Sequence, residues 1–185
     1  MGKSAFTPTD RMIAAAEAHL AAEMSEREIR PIVIGFETEI LKKYRFVAAR
    51  TVRNEPEEII LDPNLSYRLS EADSAIFFAE CRKARAAAQI TVEGEDPDVC
   101  PLLKARHVLV NAESALIKAM GELPALAVFA EKDYVMRLED RKRVIELALG
   151  LLDPFVSKDR TVALVRDYLA QYPRFAKSIY LRHCL

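Results

Sequence analysis

Between its prolines the chain repeats apolar residues at every third or fourth position, and that period is what most limits the folds open to it. Val33, Phe36, Ile40, Tyr44 and Val47 show it most plainly; a strand would alternate instead. The same spacing predicts helices over 7–27, 31–50, 70–89, 96–120, 134–152 and 157–172, with a short tail helix after Pro173. Thr7-Pro8 with Asp10, Ser70 with Asp73, and Asp96-Pro97 read as helix starts. Gly121 reads as a left-handed helix end. Pro31 is expected to end one helix and begin the next. Ile59–61, between breaker residues, is expected to be an apolar loop anchor, and the period leaves 124–130 undecided.

No glycine-punctuated succession of strand and helix pairs occurs, which argues against a doubly wound sheet, and no fixed repeat argues for a solenoid. The expected fold is therefore all-α: a compact irregular bundle of six long helices plus a short C-terminal helix. It forms one domain over 1–185, with the helices of 31–152 central and the terminal ones packed on them. A chain of 185 residues buries roughly 70% of its extended surface and needs no disulfide framework or structural metal.

Composition narrows the function classes. With 27 Lys and Arg against 28 Asp and Glu, the net charge of -1 supplies no global field towards nucleic acid or an anionic membrane. The best basic run, Lys42, Lys43, Arg45, Arg50 and Arg53, is followed at once by Glu55, Glu57, Glu58 and Asp62, so a nucleic-acid partner is not expected. The tail cations Arg174, Lys177 and Arg182 flank Phe175 and Tyr180, and such a helix is expected to dock by its aromatics. Cys81, Cys100 and Cys184 form no CxxC pair, which points to a reducing, cytoplasmic setting. No stretch reads as a transmembrane segment or signal peptide. Phosphate-loop, dinucleotide-binding and nucleophile-elbow motifs are absent.

What remains is a set of charged residues where the helical period asks for core. Glu37 falls between Val33 and Ile40, and Glu80 lies four after Ile76. Arg106 sits between Leu102 and Leu109, and Glu113 between Val110 and Leu116. Arg106 and Glu113 share a face two turns, about 10 Å, apart, too far to meet each other. A charge between helices must be paired, metal-bound or neutralised. Taken singly, each of these residues is read first as a stripe-edge charge reaching water along its aliphatic stem, or as one Arg106–carboxylate pair fixing helix register.

Taken together they define a candidate pocket in which Glu80, His107 and Glu113 handle protons while Arg106 and Glu37 hold an anionic substrate. Neither a paired Glu-x-x-His set nor HExxH nor an EF-hand loop is present, so no linear motif names a metal, and the cofactor is unknown. The leading expectation is a helical binding, regulatory or assembly module with a groove for a small-molecule or protein partner, and homodimerisation through its alanine-rich faces. The alternative is an enzyme using the carboxylate, arginine and histidine pocket, with or without a metal, on a small anionic substrate.

Overall fold

The computed structural model describes residues 6–44, 71–121, 123 and 138–177, and all regular structure among them is helical. Helix α1 spans Asp10–Tyr44, α2 Glu71–Ala87, α3 Pro101–Met120, α4 Leu138–Leu152, α5 Lys158–Leu169 and the short α6 Pro173–Ala176. A 3-10 turn, Asp153–Phe155, joins α4 to α5. None of the described helices is long and apolar enough to cross a membrane. The anchor expected at 59–61, the stretch 124–130, Arg45, Arg50, Arg53, Tyr134, Tyr180, Arg182 and Cys184 lie outside the described residues.

The first two expected helices are one: α1 runs for 35 residues with Pro31 inside it. Proline removes the backbone donor that would bond the carbonyl of Arg27, but Pro31 and Arg27 are both exposed, so water can serve that carbonyl. Ile29 and Val33, on the opposite side, are each only 1% exposed and hold the helix through the defect by packing. The true start of α1 is also later than Thr7. Thr9 Oγ1 accepts from the Met12 amide at 3.3 Å, and the Thr9 carbonyl receives Met12 and Ile13.

Helix α1 packs against α2, α3, α4 and α5. At its start, Met12 and Ala16 meet Leu116, Ile117 and Met120 of α3 and Val144, Ala148 and Leu152 of α4. In its middle, Ala21, Ile29 and Val33 share a core with Leu102 and Ala105 of α3, Val165 and Leu169 of α5, and Ile90. Near its end, Ile40 packs on Cys81 of α2. The order of these contacts makes α3 and α2 antiparallel to α1, and α5 parallel to it. Tyr172 and Phe175, with ring centroids 6.3 Å apart, dock α6 on the middle core.

Other local expectations shift for identifiable reasons. Helix α3 starts at Pro101 with Cys100 as its cap, because Asp96-Pro97 closes into a turn in which the Asp98 amide donates to Asp96 Oδ1 at 2.9 Å. Gly121 stays right-handed, at φ -65. Among the described residues the left-handed positions are Gly94, at φ +80, and Gln89, at φ +58. Gln89 completes the end of α2, where Ile90 donates to the Arg85 carbonyl and Gln89 to that of Ala86. Of the stripe Ala72, Ile76, Ala79, Ala86 and Ile90 that helical spacing marks as the packed side of the third expected helix, Ile90 is buried and Ala79 half-buried, while Ala72, Ile76 and Ala86 are exposed; Cys81 and Arg85 of α2 face inward. On α3, Leu103 and Val110 point outward.

Replacing Pro31 by alanine restores a donor at an exposed position and should stabilise the protein by about 1–3 kcal/mol. Chemical denaturation of Pro31→Ala checks this; a loss of stability would mean that the fold relies on the proline.

Candidate functional site

A helix with neighbours on several sides buries polar residues that a surface helix would leave wet, and α1 carries them along much of its length. Glu17, His19, Ser25 and Glu26 are each 5% exposed or less. Their partners differ, and the differences decide what each can do.

Glu17 accepts the Ser157 amide at 2.9 Å, placing a carboxylate at the start of α5, where the helix dipole favours negative charge. Ser157 in turn caps Arg160, so this junction is structurally satisfied. Ser25 Oγ donates to the Ala21 carbonyl at 2.7 Å. His19 has a buried Nδ1 with no hydrogen-bond partner; burial lowers its pKa, opposed by the charges of Glu23 and Glu113.

Glu26 is held by its own helix: Arg30 donates Nε at 2.9 Å and Nη2 at 2.7 Å to Oε1. Arg106 of α3 reaches the same oxygen at 3.4 Å, so the pair is also an inter-helix tie. A buried carboxylate gripped by two guanidinium groups is compensated, and its main effect is to fix the register of α1 against α3.

The expected site residues fall into separate neighbourhoods. Glu113 Oε2 accepts from Arg141 Nε at 2.9 Å, while Arg141 Nη2 donates to Ser114 Oγ and the Val110 carbonyl, stitching α3 to α4. Glu80 receives Lys83 at 2.8 Å and lies 3.9 Å from Lys43, bridging α2 to the end of α1. His107 is exposed on α3. Arg106 and Glu37 lie in the seam between α1, α2 and the first half of α3, and the field of Arg106 reaches the Glu37 carboxyl.

The residue that completes this seam, Arg85, was not among those expected. Its side chain is buried, its Nη2 donates to the Pro97 carbonyl at 3.2 Å, and its Nε has no acceptor. Burial raises the Glu37 pKa, against the pull of Arg85 and Arg106. Cys81, beside them, has its thiol pushed up to about 11, chiefly by burial and then by the charge of Glu37, so it rests as an inert thiol. Among the described residues, no three His, Cys, Asp or Glu gather as metal ligands.

Two outcomes follow. Because the native Glu37 carboxyl holds its proton more tightly than the unfolded one, its contribution to stability is full below the ordinary glutamate pKa and is lost as pH rises through the raised native value. Glu37→Gln should therefore melt a few degrees above the wild type at neutral pH and converge with it in acid, as thermal melts across pH will read. Glu17→Ala strands the Ser157 amide and should cost about 2–3 kcal/mol, whereas Glu17→Gln keeps an acceptor and loses about half as much. Equal losses in paired denaturation curves would contradict the assigned hydrogen bond.

No protein-family model, curated protein or solved structure matches this chain, so its function is argued from this geometry alone.

Proposed function

We propose that the protein is a helical binding module whose ligand site is the seam between the second half of α1, α2 and the first half of α3. Glu37, Arg85 and Arg106 are its polar groups. The observation that carries this reading is the Arg85 Nε–H, which is buried in the seam without an acceptor while Glu37, half-buried nearby, makes no ion pair among the described residues. Burying an N–H donor unpaired costs about 1–3 kcal/mol, and a ligand atom that accepts from it recovers that loss.

Binding is favoured over proton-transfer catalysis by the fate of the three candidate catalytic groups. Glu80 and Glu113 are each engaged by their own cations, and His107 stands in solvent on α3. A reducing cytoplasmic setting belongs to the same reading, supported by the free thiols of Cys81 and Cys100. So does a homodimer, supported by the outward-facing Leu103 and Val110, two turns apart on α3, and by the exposed Val99 just before it.

Native mass spectrometry of the gently purified protein tests these readings together. The expected spectrum shows a dimer carrying a small-molecule adduct that is lost in Arg85→Met and retained in Glu17→Gln. An adduct indifferent to Arg85, Arg106 and Glu37 would refute the seam as the site, and a monomer at high concentration would refute the dimer.

A further inference from the structure

We infer that the ligand of the α1–α2–α3 seam is a small molecule bearing one carboxylate, which Arg85 holds from the buried side and Arg106 from the solvent side. This inference rests on the proposed binding role and adds to it the chemical class of the ligand.

Charge sets the class. Arg30, Arg85 and Arg106 face Glu26 and Glu37 in this region, and the Arg30–Glu26 pair is closed at 2.7 Å. Arg106 also reaches Glu26, so three guanidinium groups stand against two carboxylates, an excess of one positive charge in a partly desolvated seam, where a single anionic group is the complement. The excess grows whenever Glu37 takes up a proton.

Donor geometry sets the functional group. Arg85 uses Nη2 on the Pro97 carbonyl and leaves Nε unspent. Arg106 spends Nε on Glu26 at a long 3.4 Å, and its side chain is 47% exposed, which leaves its outer nitrogens free to turn inward. Two guanidinium forks with unspent N–H groups match the paired oxygens of a carboxylate. A bound cation would meet two like charges here, and a neutral apolar ligand would leave the Arg85 donor as it is.

Exposure sets the direction of approach. Arg106 lies at the solvent edge, Glu37 is intermediate and Arg85 is buried, so the three form a gradient from water into the seam. The Pro97 carbonyl fixes the inner guanidinium from the α2–α3 turn, which Arg82 also braces through Asp98 at 2.6 Å. Glu37 competes with an arriving carboxylate for the same guanidinium groups and thereby limits affinity.

The test uses the full chain and sodium butanoate as the probe, titrated against sodium chloride at matched ionic strength while the arginine Nε–H resonances are followed by NMR. The expected result is a saturable downfield movement of the Arg85 Nε–H signal, identified by its loss in Arg85→Lys, that chloride does not produce. Arg106→Met, which alters a half-exposed side chain and should fold, weakens butanoate binding about tenfold or more, and Glu37→Gln strengthens it several-fold. An absence of saturation, an equal response to chloride, or unchanged affinity in Arg106→Met overturns the carboxylate assignment. Should that assignment fail while native mass spectrometry still shows an adduct that depends on Arg85, the seam stands as a site for another chemical class; if the adduct ignores Arg85, Arg106 and Glu37 as well, the binding reading falls with it.

Discussion

One helix with neighbours along its whole length sets the terms for the rest of the structure. At 1.5 Å per residue, α1 is roughly 50 Å long, and it packs against α2, α3, α4 and α5 in turn. A helix so placed cannot confine its polar residues to one dry and one wet side. Each charge on it must find a partner on a neighbouring element or bear the cost of desolvation. The fold is therefore a sequence of local settlements along α1: Glu17 with the start of α5, Glu26 with Arg30 and Arg106, and Glu37 facing the two arginines of the seam.

These settlements differ in completeness, and the difference separates structural positions from a candidate site. Glu26 and Glu113 each have a guanidinium nitrogen within 2.9 Å, and Glu17 has the Ser157 amide. Such contacts favour one register among many that apolar packing alone would tolerate, because a shifted helix would leave a charge buried without a partner. The seam keeps the Arg85 Nε–H without an acceptor and, within the field of Arg85 and Arg106, a Glu37 carboxyl that makes no hydrogen bond among the described residues. Two incomplete groups of opposite character, side by side yet not satisfying one another, are poorly explained by register alone.

The helical class was legible because a period of three to four residues is a local property that survives any packing. Faces and boundaries were less so, since they depend on neighbours. Glu26 lies four after Ala22, three before Ile29 and seven before Val33, the same signature that singles out Glu37. A helix boundary placed at Pro31 cuts that stripe in two, and Glu26 then reads as a frayed end instead of the middle of a buried face. The proline is tolerated because it and Arg27, whose carbonyl loses its helical donor, both lie on the exposed side of α1, and that side is set by the rotation of α1 against α3 and α5, which no local pattern encodes.

Arg85 illustrates the same limit from the other side. For α2 and its end, a reading by hydrophobicity puts Ala72, Ile76, Ala79, Ala86 and Ile90 inside, and of these Ile90 alone is fully buried. In the fold Cys81 packs on Ile40, and Arg85, one turn later, is carried inward with it to meet the Pro97 carbonyl. The cost of burying that arginine is offset only in part by the one hydrogen bond it makes. The packing that buries Cys81 on Ile40 and Ile90 in the middle core therefore carries the desolvation of Arg85 with it. The carboxylate we infer between Arg85 and Arg106 would offset that desolvation, at a charged side chain that hydrophobic patterning sends to the surface.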